Sequence, residues 1–341
     1  MNLEYSAVIR TLGLAGDKYM RLLKSLDTQT IKPKEILVVL AEGYDLPPER
    51  LGYERYIYSK KGIVSQRSLG AIEARSEYCL FLDDDLEFES TMVERLFKPI
   101  VEKKVDITFP IIPEMVPKTT LSTFLMCVLT ASAMPMIINR KKYYTKINMA
   151  GGWLYNEHID FSKELLYEAQ TAPGACYLVK TEIARKIKFE EERWLELTSF
   201  SLPDDQINFY KYYKLGYKIG GISNIHILHL DGGGSSYERT QKAVYALAKH
   251  HIIFWHRFVY KPSSNLIFRL ISIICFMYWL ITSSLLGIIS NMLLLRFKLV
   301  VKHIKGELDG IKYLFNKENP PKILTAQAGN DAGIVGATLI S

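Results

Sequence analysis

The run Tyr78–Leu82, Y-C-L-F-L, passes without a break into Asp83-Asp84-Asp85. Five apolar or aromatic residues in a row fit a strand covered on both faces, as inside a parallel sheet. Three carboxylates directly after such a strand repel one another unless a cation or basic side chains neutralise them. At the carboxyl end of a parallel strand they open onto the crevice where α/β sheets bind ligands. Hard divalent cations accept such oxygens and keep positions open for phosphate oxygens. The plain alternative is a solvated acidic turn capping the helix that begins near Ser90.

The surrounding pattern favours the crevice. Strand-like runs occur at Tyr5–Arg10, Glu35–Leu40, Arg55–Tyr58 and Asp106–Pro110. Helical spacing occurs at Asp17–Leu26, Val64–Ala74 and Thr91–Lys104. This alternation predicts a parallel α/β fold. Further on, Pro173–Lys180 reads as a strand, Asp204–Leu215 as a helix, and Lys218–His229 as one or two strands. Gly232–Ser236 reads as a flexible loop, and Thr240–Phe258 as a helix. The stretch 113–172 holds Pro113, Pro117 and Pro135, an apolar run Leu121–Ile138 and the basic knot Arg140-Lys141-Lys142. It reads as helices flanking a cleft.

The segment Leu270–Leu295 contains no charged residue. As a helix it would reach ~39 Å, beyond the ~30 Å of a bilayer's hydrocarbon layer. Arg257, Lys261 and Arg269 precede it; Arg296, Lys298, Lys302 and Lys305 follow it. With basic flanks on both sides, the positive-inside rule does not choose an orientation. A tilted span and a re-entrant or interfacial hairpin both fit. The chain has 43 Lys+Arg against 36 Asp+Glu, a net charge of +7 and a pI of 9.0. That balance suits an anionic partner. The basic residues are spread along the chain without a nucleic-acid motif, so no nucleic-acid partner is expected. Cys79, Cys127, Cys176 and Cys275 form no C-x-x-C pair and are expected to be reduced thiols. The N-terminus does not read as a secretory signal.

The stretch Q-R-S-L-G-A-I-E-A-R-S-E-Y-C-L-F-L-D-D-D-L-E-F at 66–88 resembles the inverting family 2 glycosyltransferases. Arg67, Ser68 and Gly70 stand for that family's Arg-Asn-x-Gly element. Y-S-A-V-I-R-T-L at 5–12 is similar to its first strand and nucleotide loop, with Thr11 at the usual Thr position. E-I-L-V-V-L-A-E-G at 35–43 is similar to its second strand. The family there has Asp-Asp-Gly-Ser; this chain has Leu40, Ala41, Glu42 and Gly43, leaving Glu42 as the candidate base reader. P-D-D-Q-I-N-F-Y at 203–210 stands for the family's Glu-Asp motif, and H-I-L-H-L-D-G-G-G at 226–234 for its late histidine.

The resemblance implies a GT-A type nucleotide-diphospho-sugar transferase fold: a Rossmann-like mixed sheet flanked by helices, with a C-terminal apolar membrane helix or hairpin. It implies a transferase domain over 1–260, with 1–112 the nucleotide-sugar half and 113–260 the acceptor half. A membrane segment over 264–300 follows, then an amphipathic helix and flexible tail over 301–341. Among site residues it implies Thr11, Glu42, Arg67, Asp83 and Asp84 on the donor side, with Asp84 chiefly structural. Asp85 and His229 would hold Mg²⁺ or Mn²⁺. Asp205 would be the general base, with Asp204 beside it at the Glu position; helix capping is the plain alternative for this pair. The expected reaction is inverting, metal-dependent sugar transfer from a nucleotide-sugar donor. The expected acceptor is membrane-proximal, a lipid-linked or other glycan. Membrane lipids are an expected partner, with the catalytic domain facing the cytoplasm. Two alternatives stay open. One is a sugar nucleotidyltransferase, for which L-G-L-A-G-D-K at 12–18 is a faint nucleotide loop. The other is a non-catalytic membrane scaffold on a decayed transferase fold.

Overall fold

The computed structural model describes residues 3–116, 129, 141–230 and 237–315. Its centre is a pair of parallel strands, β1 (Tyr5–Thr11) and β4 (Tyr78–Asp83). Both are almost wholly buried, which is why each reads as a continuous apolar run. Strands β2 (Glu35–Ala41) and β3 (Arg55–Ser59) extend the parallel sheet on one side.

On the other side the sheet becomes mixed. β10 (Cys176–Lys180) lies antiparallel between β4 and β6 (Ile107–Pro110), and β11 (Ile219–Ile222) runs parallel to β6. β9 (Leu166–Ala169), β7 (Tyr143–Ile147) and β8 (Trp153–Tyr155) complete a ten-stranded sheet, in the order β3-β2-β1-β4-β10-β6-β11-β9-β7-β8. A separate ribbon pairs β5 (Leu86–Phe88) with β12 (Ile227–His229), antiparallel.

Helices α1 (Asp17–Asp27), α2 (Ile63–Glu73) and α3 (Met92–Val101) cover the parallel part. α1 buries Tyr19, Leu22, Leu23 and Leu26, the four positions whose spacing predicts it. α3 stops at Val101, short of the expected Lys104; Lys103 there takes a positive φ of 55°. After β10 come α4 (Thr181–Lys186), a 3₁₀ stretch Phe189–Leu197 and α5 (Asp204–Lys214). α6 (Tyr237–Phe254) continues into a π-helical turn, Trp255–Tyr260. α7 (Leu266–Leu293) and α8 (Phe297–Phe315) close the described chain.

The stretch 113–172 departs from the helices expected there. Its described part forms a 3₁₀ turn, Pro113–Met115, and the strands β7, β8 and β9 that finish one side of the sheet, with β8 at its edge. Tyr144 and Thr145 are buried, and Asn148 closes a tight turn by accepting from the N–H groups of Ala150 and Gly152. Aromatic and β-branched residues around the five-residue loop Asn148–Gly152, whose Gly151 takes a positive φ, suit a hairpin, a local signal that the prolines and the apolar run obscure. Residues 117–128 and 130–140, the 232–236 loop and the tail beyond 315 lie outside the described residues. Cys79, Cys176 and Cys275 are free thiols.

Candidate active site

The register of the central strands builds the site. Arg10 and Asp83 are paired neighbours at the carboxyl ends of β1 and β4. Their side chains form an ion pair, Arg10 Nη2 to Asp83 Oδ1, at 2.7 Å. Asp83 donates its backbone N–H to Ala175 O at 2.9 Å, which fixes the start of the triplet against the strand entering β10. Asp84 turns the other way and accepts from the Thr11 hydroxyl at 2.5 Å, while Thr11 Oγ1 accepts from Gly13 N at 2.8 Å. Asp85 turns toward the β5–β12 ribbon. Its Oδ1 lies 3.3 Å from His229 Nε2, and its carbonyl accepts from Leu230 N.

Side-chain ligand atoms of Asp83, Asp85 and His229 all lie within 4.8 Å of one another. Two carboxylates and an imidazole that close form a donor set for a divalent cation. Their protonation follows the surroundings. Burial pushes the Asp83 carboxyl up to about 6, and the Arg10 guanidinium offsets only part of that. Burial also acts on Asp85, but the hydrogen bond and charge of His229 outweigh it and hold this carboxyl below its ordinary value. Burial raises Asp84 despite its bond from Thr11.

A second acidic group opens α5. Arg67, on α2 and 3% exposed, places Nη2 at 2.7 Å from Asp205 Oδ1 and Nη1 at 3.5 Å from Asp204 Oδ2. The guanidinium also packs over the rings of Phe189 and Tyr177, 5.7 and 6.0 Å from their centroids. Gly174 leaves room for this pair: a Cβ there would fall 2.1 Å from Asp205 Oδ1 and 3.1 Å from Arg67 Nη2. The two carboxyls share one environment and divide in charge. Burial and the neighbouring Asp205 charge push Asp204 up, so it keeps its proton. Burial acts on Asp205 too, but Arg67 and then Arg10 overcome it and keep Asp205 ionised.

Between the two groups lies a cleft of about 850 Å³. Of the expected residues, Thr11, Asp84, Asp204 and Asp205 line it. Arg67 and Asp83 stand just behind its wall, lining a small void with Gly174. Asp85 and His229 sit together on the ribbon side. Glu42 is exposed at the end of β2 and is not among the lining residues. Sequence reasoning did not single out Arg10, Gln66 or Glu196, which also line the cleft. Arg10 carried a signal, as a charge at the end of a buried strand. Gln66 ties α2 to the sheet by donating to Thr11 O and Val39 O at 2.9 and 2.8 Å. Glu196 accepts from the Ser65 N–H and hydroxyl, each at 2.7 Å, so it caps α2 from 131 residues away. No local pattern foretells that contact.

No curated protein matches the chain. Solved structures similar to it include GalNAc-T7 with UDP, GalNAc and Mn²⁺, at 16% identity and a TM-score of 0.46; the match covers 74% of this chain and 50% of that one. Thus the chain spans about half the length of GalNAc-T7. Another is S. aureus TarS 1–349 with UDP-GlcNAc, at 14% identity and a TM-score of 0.42, covering 91% of this chain and 92% of that one. Residues 20–161 match the family model described as Glycosyl transferase family 2. That span contains α2, β4 and the acidic triplet, so the family 2 glycosyltransferase likeness falls on the part of the chain that builds the first acidic group.

Proposed function

We propose that this chain transfers a sugar, with inversion, from a nucleotide-sugar donor to a membrane-proximal glycan or lipid-linked acceptor. The observation that supports this reading is a cleft lined by Asp84 of the triplet and by an ionised Asp205, with Asp83, Asp85 and His229 gathered on either side of Asp84 in the chain and in the β5–β12 ribbon. The first group has the donor set for a divalent cation, Mg²⁺ or Mn²⁺, which when bound would neutralise diphosphate oxygens. Thr11 and Asp84 line the cleft for the donor in this reading, and Arg10, Lys61 and Arg239, which line it too, add positive charge for an anionic donor.

Asp205 acts as the general base. An acceptor hydroxyl gives its proton to the Asp205 carboxylate as its oxygen attacks the anomeric carbon from the face opposite the leaving group. The bond from that carbon to the diphosphate oxygen breaks, and nucleoside diphosphate leaves. One displacement on the opposite face inverts the anomeric centre. Asp205 suits this role better than Asp204 because it is charged and its side chain is 26% exposed, against 5% for Asp204. Arg67 orients it and keeps it ionised. The apolar helix α7 is long and apolar enough to cross a membrane; in this reading it attaches the enzyme to the cytoplasmic face, where nucleotide sugars are made.

The deciding experiment presents purified full-length protein with a panel of nucleotide sugars, with and without Mn²⁺ or Mg²⁺. Release of nucleoside diphosphate from one preferred donor, dependent on the cation, is expected. Pyrophosphate release would mean nucleotidyl transfer instead, and turnover unaffected by a chelator would remove the cation from the reading.

A further inference from the structure

Helix α7 holds an 18-residue window with a mean hydropathy of 2.0, yet only 11% of that window is buried. Its length alone allows a bilayer span. Its packing points elsewhere. Near its start, Ser272 accepts from Trp255 Nε1 at 2.9 Å and donates to Met149 O at 2.8 Å. Phe276 stacks on Trp255 with ring centroids 3.8 Å apart. Near its end, Ser284 is hydrogen-bonded to Glu307, and Gly287 faces the ring of His303 on α8. α7 is therefore fastened at both ends to the body of the protein.

α8 is fastened more firmly still. A Cβ at Gly306 would lie 2.5 Å from Tyr245 O, and one at Gly310 would lie 2.9 Å from Lys249 O. These two glycines let the backbone of α8 lie directly on α6, and Tyr245 donates its hydroxyl hydrogen to Asp309 at 2.9 Å. Arg239, on the same α6, lines the cleft. If α7 crossed the bilayer once, α8 would emerge on the far side, ~30 Å from the helix it is seated on. If α7 and α8 crossed together as a hairpin, the charged side chains of α8 would enter the hydrocarbon. That costs about 2.5–3.5 kcal/mol for each at the centre.

The outward surface of the pair is sorted by charge. Leu270, Ile274, Met277, Ile281, Leu285 and Ile289 follow helical spacing along one face of α7, each 45–69% exposed. On α8 the acids Glu307 and Asp309 turn inward to Ser284 and Tyr245, while Lys298, Lys302 and Lys305 are exposed beside Val301, Ile304 and Leu308. Apolar side chains with lysines at their margin match the boundary between acyl chains and anionic headgroups, where the lysine stems lie in the apolar zone and the ammonium groups reach outward.

We propose that α7 and α8 form one in-plane docking face, covered by the surface of a bilayer bearing anionic headgroups, and that α7 does not cross it. The proposal rests on the membrane attachment in the proposed function and fixes its geometry. It is tested with the full chain, its four native cysteines changed to alanine, bound to vesicles with or without phosphatidylglycerol. Nitroxide labels on Ile274→Cys, Ile281→Cys and Ile289→Cys report depth. Equal depth at all three positions is expected, together with at least tenfold weaker vesicle binding for the triple variant Lys298→Glu, Lys302→Glu, Lys305→Glu. That variant should keep its nucleoside diphosphate release.

A crossing helix separates 274 from 289 by ~22 Å along its axis. Label 281 deepest would mean a single span, and label 289 deepest a hairpin; either overturns the in-plane geometry while leaving membrane attachment intact. Equal binding to neutral vesicles would overturn the anionic surface. No vesicle binding, with self-association through the same face, would overturn the attachment itself in favour of a second copy of the chain.

Discussion

The chain writes its two acidic groups almost alike, L-D-D-D at 82–85 and P-D-D at 203–205. In space they are opposites. The second group is closed by Arg67 from 138 residues away, which leaves one neutral and one ionised carboxyl. In the first group Arg10 takes up Asp83, and His229 stands beside Asp85. Acids answered by a buried guanidinium are held as a fixed charge pattern. Acids with a histidine beside them offer the donor set that the proposed function gives to an exchangeable cation. Spacing in sequence cannot separate the two cases, because the neutralising partner comes from another element.

The largest effect should come from the first group. Asp85→Ala is expected to cut nucleoside diphosphate release by about 10³-fold, since a bound metal contributes several kcal/mol to such steps. Mn²⁺ binding followed by electron paramagnetic resonance should fall with it, while circular dichroism stays unchanged. If turnover and Mn²⁺ binding both survive, the two groups do not differ in the way described.

Asp205→Asn should separate the groups cleanly. Turnover is expected to fall by about 10²–10³-fold through loss of the base. Mn²⁺ affinity should remain that of the parent protein. A joint loss of both would mean that one acidic group supports the other.

Arg67→Met should act on stability as well as activity. It leaves two buried carboxyls without their adjacent cation, for a loss of about 3 kcal/mol, read as a lower denaturation midpoint in urea. An unchanged midpoint would show that Arg67 is not what neutralises Asp204 and Asp205.

The smallest effect is a pH slope. Asp204 titrates higher in the folded chain than in the unfolded one, because of burial and the Asp205 charge beside it. Its contribution is therefore fully present below the unfolded carboxyl value of 3.8 and is lost as pH rises through the raised folded value, about 8. Asp204→Asn mimics the protonated acid and should remove that loss. The variant's melting temperature should match the parent below about pH 4 and exceed it increasingly as pH rises toward 8. The opposite trend would assign the proton to the other carboxyl.

Much of the fold was legible along the chain because it is written locally. The strands from Tyr5 and Tyr78 announce themselves as apolar runs, being covered on both faces. α1 announces itself by the spacing of Tyr19, Leu22, Leu23 and Leu26. The edge hairpin at 143–155 did not, since half-exposed strands alternate weakly and the prolines upstream pointed to irregular chain. At the site, Thr11, Asp83, Asp84, Asp85, Asp204, Asp205 and His229 were each visible as residues at the end of an element. Glu42 was visible too, yet it lies exposed outside the cleft. Glu196 was invisible, because a side chain that caps a helix from 131 residues away leaves no trace near that helix.

The sequence by itself determined the alternation of strands and helices, the burial of the central strands and the crowding of acids at their ends. These depend on hydrophobic period and local backbone preference, which act over a few residues. The tertiary structure decided which acids are charged, which face a histidine, and which helix holds the apolar segment against the body of the protein. Those outcomes depend on partners brought from distant segments into low-dielectric surroundings, where a contact of 2.7 Å between Arg67 and Asp205 outweighs anything the local sequence can say.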